Sequence, residues 1–321
     1  MSKTDSIRAR ALELSVDLVG VAGVERFADA PAGKRPQDIL PQARSVISFG
    51  IKILDGVMET LIKAYESQDK SIQGLFGTWG CTTIPSFHLG NVSMTLAKYI
   101  EEEFGAIAVP TTSGAFQTKS AFSQRRAAVA AGLGEMGWMG RVLTEEFGPR
   151  IVWGSVITDL ELEEDPLYSG PKLCEPEKCG FKCAEICPMN AIPKSMEEAT
   201  DYPVGGKKQT LGDIDYNRCK CACLGFVNVI SQKPKAVHHA QGYTSDMSLY
   251  KPDYGQIDVN KRMSDEEFRE SFESNPPSKA HTLQAFPNFK CSICLGYCPA
   301  GHREEKFGGI DYQYHFQKGE K

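Results

Sequence analysis

Cysteine is nearly missing from the first half of this 321-residue chain: Cys81 alone precedes Cys174, whereas ten of the 11 cysteines fall between Cys174 and Cys298. An excess of charge is also missing, with 36 basic residues against 41 acidic ones and a net charge of -5. Phosphate backbones are bound by clustered basic surface, so nucleic acid is not an expected partner. No long apolar run occurs either. The N-terminal stretch with Lys3, Arg8 and Arg10 is broken by Glu13 and Asp17, and Ala127 to Gly140 contains Glu135 and several glycines. Neither serves as a signal-peptide core or spans a bilayer, and Arg125-Arg126 is internal. The expectation is a cytoplasmic protein with no membrane partner, where crowded cysteines ligate metal more often than they form disulfides. The chain also has no G-x-G-x-x-G between strand and helix, no P-loop, and no Asp-x-His-x-x-Gly of the kind that ligates cobalt from below. With 41% apolar and 24% charged residues, the composition is that of an ordinary globular protein.

The first 165 residues read as mixed helix and strand. Asp5 is placed to cap a helix whose Ile7, Ala11, Leu14 and Leu18 share one face. Val19 to Val24 and Ser45 to Ile53 are β-rich runs separated by a Pro- and Gly-containing stretch. Val92, Leu96, Ile100 and Phe104 recur every four positions and Gly105 supplies a stop, so the spacing predicts a helix over 92–104. Ala106 to Pro110 reads as a strand, Ser123 to Ala131 as a helix closing at Gly132, and Ile151 to Leu160 as a buried strand. Strands alternating with helices argue for a sheet covered by helices, an α+β arrangement.

The character changes at Asp165-Pro166. Cys183-x3-Cys187-Pro188 and Cys294-x3-Cys298-Pro299 share one ending, and Cys291 precedes the second at the x2 spacing. This is the ending of the bacterial ferredoxin run, in which the last cysteine of each motif ligates the other motif's 4Fe-4S cluster. Two clusters need eight thiolates. By the crosswise rule Cys174, Cys179 and Cys183 join Cys298, while Cys187 joins Cys291, Cys294 and one of Cys219, Cys221 and Cys223; of these three Cys219 is taken as the candidate, the choice staying open. Motif one departs from the usual spacing, with x4 and x3 gaps in place of two x2 gaps. Structural zinc is the alternative, but it takes four ligands in two pairs, whereas here eight are on offer and both motifs end in Cys-Pro. On the residues alone, this is an iron-sulfur electron-transfer module joined to an α+β domain of unknown cofactor.

Three further segments carry a resemblance. Ala130-Ala-Gly-Leu-Gly-Glu-Met-Gly137, Leu143-Thr-Glu-Glu-Phe-Gly-Pro149 and Val156-Ile-Thr-Asp-Leu-Glu-Leu162 are similar to the stretch before the ferredoxin motifs of cobalamin-dependent reductive dehalogenases and epoxyqueuosine reductases. The similarity extends back through Arg35 to Gly50 and forward through both cysteine motifs. The resemblance implies a nitroreductase-like corrinoid-binding domain followed by a ferredoxin-like two-cluster domain. It further implies reduction of a small molecule, by dehalogenation or deoxygenation, at a cobalamin fed by ferredoxin or flavodoxin. Under it Gly132, Leu133 and Gly134 approach the macrocycle, although a helix C-cap and turn explain the glycines equally well. The alternative is an activator protein that reduces a separate corrinoid or metal enzyme; a flavin in the first domain is a third reading.

Phe87-His88 resembles a Tyr-His pair of epoxyqueuosine reductases and makes His88 a candidate proton donor. Those enzymes place an acidic donor ahead of the Ala-Gly-Leu-Gly segment; here Gln117 to Gln124 has no carboxylate, and Lys119 is the candidate acid. His238-His239 has no companion at ligand spacing, and Cys81 reads as a small buried residue. The expected organisation is residues 1–165 for cofactor and substrate, and 166–230 with 286–305 for the clusters. Residues 231–285, including the capping-box pair Ser264 and Glu267, form a lid or surface insertion, and 306–321 a tail.

Overall fold

The computed structural model of the chain describes residues 2–67, 76–112, 122–216, 218–219 and 291–301. The insertion at 231–285, the tail, Lys119, Cys221, Cys223, His238 and His239 therefore lie outside the described residues. The first helix, α1 (Lys3–Glu13), is capped three residues earlier than its sequence suggests. Ser2 is the cap: its hydroxyl accepts from the Asp5 N–H while the Asp5 carboxylate accepts from the Ser2 N–H, closing a capping box.

Strand β1 (Leu18–Gly23), a short α2 (Pro36–Ile39), strand β2 (Ser45–Lys52) and helix α3 (Asp55–Glu66) follow. The helix expected from Val92 starts earlier, as α4 (Ile84–Phe104), entered from a wide π-type turn over Phe76–Thr83. Pro85 sits in its first turn, where its missing N–H costs nothing. After β3 (Ala108–Thr112) and α5 (Gln124–Ala130) come the two-residue strands β4 (Glu135–Met136) and β5 (Val142–Leu143), which pair, and then β6 (Ile151–Thr158). Past Asp165 the elements are short: α6 (Lys182–Glu185), the paired β7 (Ala199–Asp201) and β8 (Thr210–Gly212), and α7 (Ile293–Tyr297).

The main sheet is antiparallel in the order β1-β2-β6-β3, with Ser48 opposite Ser155 and Ser155 opposite Thr111. All eight residues of β6 are buried, as an apolar strand covered on both faces must be. One face packs Val46, Trp153 and Ile157 against Ala127, Ala128 and Val129 of α5. The other packs Ile47, Phe49 and Val156 against Leu89, Leu96 and Ile100 of α4 and Ile7 and Ala11 of α1. That second apolar cluster continues through Met58 and Leu61 of α3 to Cys183, Cys291, Ile293 and Cys298, so the cysteine loops are built onto the core of the first half.

Candidate metal centre

The two Cys-Pro motifs repeat one backbone shape. Phe181 and Ser292 adopt left-handed conformations, with φ of 52° and 50°, a position few non-glycine residues tolerate. Each stands two residues before a cysteine, Cys183 or Cys294, and opens a single helical turn, α6 or α7, which is followed within two residues by Cys187-Pro188 or Cys298-Pro299. The extra residue of the x3 gap in motif one is also accounted for. Gly180 has a φ of 61°, so two consecutive left-handed residues turn the chain between Cys179 and Cys183 and absorb the x3 gap.

Helices α6 and α7 pack together, and α3 lies against α7 closely enough that a Cβ on Gly296 would meet Ile62 Cγ1 at 2.9 Å. The thiols converge as a result. Burial pushes the Cys183 thiol up, and the neighbouring Cys294, Cys298, Cys174 and Cys179 push it further. Cys174 is pushed up to about 12 by burial first; the Trp138 N–H, which donates to its Sγ at 3.1 Å, opposes this, and Cys298, Cys179 and Glu135 add to it. Cys174 and Cys298, 124 residues apart in sequence, thus share one neighbourhood. On the other side, Tyr65 of α3 is pushed up to about 12 by burial and then by the thiols of Cys291 and Cys187. Its hydroxyl donates to Ile186 O at 3.4 Å and its ring meets Tyr297 edge-on at 6.3 Å. Cys187 Sγ accepts from the Ala191 N–H at 3.3 Å, and Ala191 O accepts from the Asp215 N–H at 2.9 Å. Asp215 O in turn accepts from the N–H of Cys219, which is half-buried against the same apolar cluster.

None of the eight candidate cysteines is in a disulfide, and each is half-buried or buried. Among the described residues no three His, Cys, Asp or Glu side chains gather closely enough to hold one metal ion. A cubane spreads its thiolates over four irons, and backbone N–H groups aimed at sulfur are what tune such clusters. The thiol donor set, with Trp138 and Ala191 N–H groups on two of the sulfurs, fits iron-sulfur ligation.

Several residues that hold this centre carry no signal of their own in the sequence. Glu135 Oε1 accepts from the N–H groups of Leu173 at 2.6 Å and Cys174 at 3.1 Å, fixing the first cysteine. Trp138 is buried, donates its indole N–H to Pro193 O at 2.7 Å, and packs edge-on against Phe181 at 5.5 Å. Cys81 is buried as expected, its thiol pushed up to about 12 by burial, but it also touches the Ser292 side chain beside the second motif.

The glycine loop has a reason of its own. Leu133 N–H donates to Ala128 O and Gly132 N–H to Val129 O, a Schellman motif closing α5 with Gly132 left-handed at φ 74°. A Cβ on Gly132 would collide with Pro166 O, and one on Gly134 with Leu143 O. Gly132-Leu-Gly134-Glu-Met-Gly137 spells a dinucleotide spacing, yet it follows a helix and enters the β4-β5 hairpin. The sides of Gly132 and Gly134 that a Cβ would occupy thus meet the protein's own backbone, while Gly132 and Leu133 are half-buried. His88 stands exposed in the first turns of α4, beside an exposed Phe87.

No family model matches the chain. It is 37% identical over 131 residues to the tetrachloroethene reductive dehalogenase of Sulfurospirillum multivorans, a match covering 39% of this chain and 24% of that protein. It is 28% identical over 163 residues to the epoxyqueuosine reductase of Lactococcus garvieae, covering 49% of this chain and 41% of the relative. A solved catabolic reductive dehalogenase in complex with 3-bromo-4-hydroxybenzoic acid superposes with a TM-score of 0.48 at 18% identity, over 92% of this chain and 38% of that one. The chain spans well under half the length of the curated relatives it matches. By sequence, it is a relative of the reductive dehalogenases and epoxyqueuosine reductases.

Proposed function

We propose that the chain is an iron-sulfur oxidoreductase that reduces a small molecule by dehalogenation or deoxygenation. One 4Fe-4S cluster would be held by Cys174, Cys179, Cys183 and Cys298, the other by Cys187, Cys291, Cys294 and one of Cys219, Cys221 and Cys223. The carrying observation is the packing of α6 against α7, which puts Cys183, Cys291 and Cys298, from two motifs far apart in sequence, in one buried apolar cluster with Cys294 against it. Such clusters supply one-electron chemistry. What the chain's own residues do is exclude water around them, aim N–H groups at Cys174 and Cys187, and seat Tyr65 and Trp138 against the two sides. Ferredoxin or flavodoxin is the proposed electron donor.

A corrinoid as the centre that acts on substrate rests on the resemblance and on the relatives' names. The closed packing around Gly132 and Gly134 favours a second reading, an activator that reduces a separate corrinoid or metal enzyme. Purified without oxygen, the chain is expected to carry about eight irons and to show cluster signals in electron paramagnetic resonance after reduction. Stoichiometric zinc with almost no iron would overturn the proposal. Cobalamin retained through gel filtration supports the reductase; failure to bind any corrinoid supports the activator.

A further inference from the structure

Arg150 is nearly buried, 5% exposed, immediately before β6, where its backbone is held from both sides: its N–H donates to Phe147 O and its carbonyl accepts from Ile53 N–H. Its guanidinium reaches 145 to 151 positions along the sequence into the second cysteine motif. Nη1 donates to Leu295 O at 3.4 Å and Cys298 O at 3.1 Å, and Nη2 to Ala300 O at 2.6 Å and Gly301 O at 3.1 Å. The turn that carries it follows the same loop: a Cβ on Gly148 would collide with Ala300 O. A planar fork with fixed donors suits this task, whereas an ammonium on a flexible stem does not.

We infer that Arg150 is a positioning residue for the cluster that Cys298 joins, clamping the loop so that this cysteine reaches the Cys174, Cys179 and Cys183 site and setting a positive charge behind it. This rests on the iron-sulfur reading. A guanidinium whose hydrogen bonds end on the ligand's own carbonyl favours the reduced, more negative cluster, because a nearby cation stabilises added negative charge. The same fork draws the negative ends of four carbonyl dipoles toward itself.

Three variants of the full-length chain, purified without oxygen, separate the possibilities. In Arg150→Gln, one of the two clusters is expected to become harder to reduce by about tenfold, which is ~59 mV for a one-electron couple, with its resonance signal broadened. In Arg150→Lys the charge remains and the fork is lost, so the midpoint stays nearer wild type while the same signal broadens. Arg126→Gln is the control for simple destabilisation: Arg126 is equally buried and is tied to Pro203 O and the Tyr202 ring. It should leave both midpoints in place. Wild-type midpoints and line shapes in both Arg150 variants overturn the inference while the iron-sulfur reading stands, and a wild-type protein without iron overturns that reading itself. Should Arg150→Gln fail to fold, Arg150→Lys decides alone: a broadened or missing signal from one cluster supports the clamp, and two unchanged signals refute it.

Discussion

Replacing Gly132 by alanine tests whether that glycine serves the protein's backbone or a bound macrocycle. Alanine would have to keep a φ of 74°, a left-handed conformation that costs an L residue roughly 1–2 kcal/mol. Its Cβ would also collide with Pro166 O, so the end of α5 and the segment entering the cysteine region would have to part, at a further ~1–3 kcal/mol. The sum, about 2–5 kcal/mol, is a large share of the ~5–15 kcal/mol by which domains are stable. Gly105 provides the comparison. It closes α4 with a φ of 62° and no atom lies within 4 Å of an added Cβ, so Gly105→Ala carries only the conformational cost. Thermal melts followed by circular dichroism under anaerobic conditions should therefore show Gly132→Ala well below Gly105→Ala. Equal melting temperatures for the two variants would refute the Pro166 contact as the reason for glycine. A Gly132→Ala protein as stable as wild type but unable to retain cobalamin would restore the macrocycle reading.

Two other outcomes follow from the geometry. Glu135→Ala leaves the Leu173 and Cys174 N–H groups without their acceptor, about 1–3 kcal/mol for a partly buried pair. Iron content should fall from about eight toward four, whereas Glu135→Gln keeps the acceptor oxygen and the iron; eight irons in the alanine variant would contradict the anchoring role. The Asp5 carboxyl is held below its ordinary value by hydrogen bonding from Ser2, chiefly from its side chain and then its backbone N–H. A depressed carboxyl pKa stabilises the fold above the ordinary value and loses that contribution as pH falls through the folded one. Amide protection in the first turn of α1 should accordingly fall below about pH 4, and Ser2→Ala, which removes the larger of the two hydrogen bonds, should weaken that pH dependence; an unchanged dependence would sink it.

The sheet was readable because its strands are runs of β-branched and aromatic residues, and β6 pairs along nearly its whole length with β2. The start of α4 is hidden by exposed Ile84 and Phe87, which fall off the apolar stripe that begins so clearly at Val92. In the cysteine region the Cys-Pro endings were legible, while the x3 gap looked like a defect because nothing in the letters reveals that Gly180 and Phe181 both turn left-handed. Arg150, Glu135 and Trp138 were illegible as supports for the centre. Each acts through hydrogen bonds with backbone groups distant in sequence, and a backbone partner leaves no mark on residue identity. Cys81 reads as a small buried residue and is buried, but its neighbour across the fold, Ser292, belongs to a motif more than 200 positions away.

The meeting of Cys183 with Cys294 and Cys298 also imposes an order on biosynthesis. Motif one leaves the ribosome roughly a hundred residues before Cys291 is added, several seconds at ordinary rates of translation. During that interval Cys174, Cys179, Cys183 and Cys187 exist without the loop that completes their surroundings. A nascent chain held at residue 230 would present four exposed thiols to the cell, open to stray metal and to oxidation. On the iron-sulfur proposal, inserting the clusters would then wait until Cys298 has been added, and a slow passage through the intervening stretch would lower the yield of loaded protein without altering a single proposed ligand.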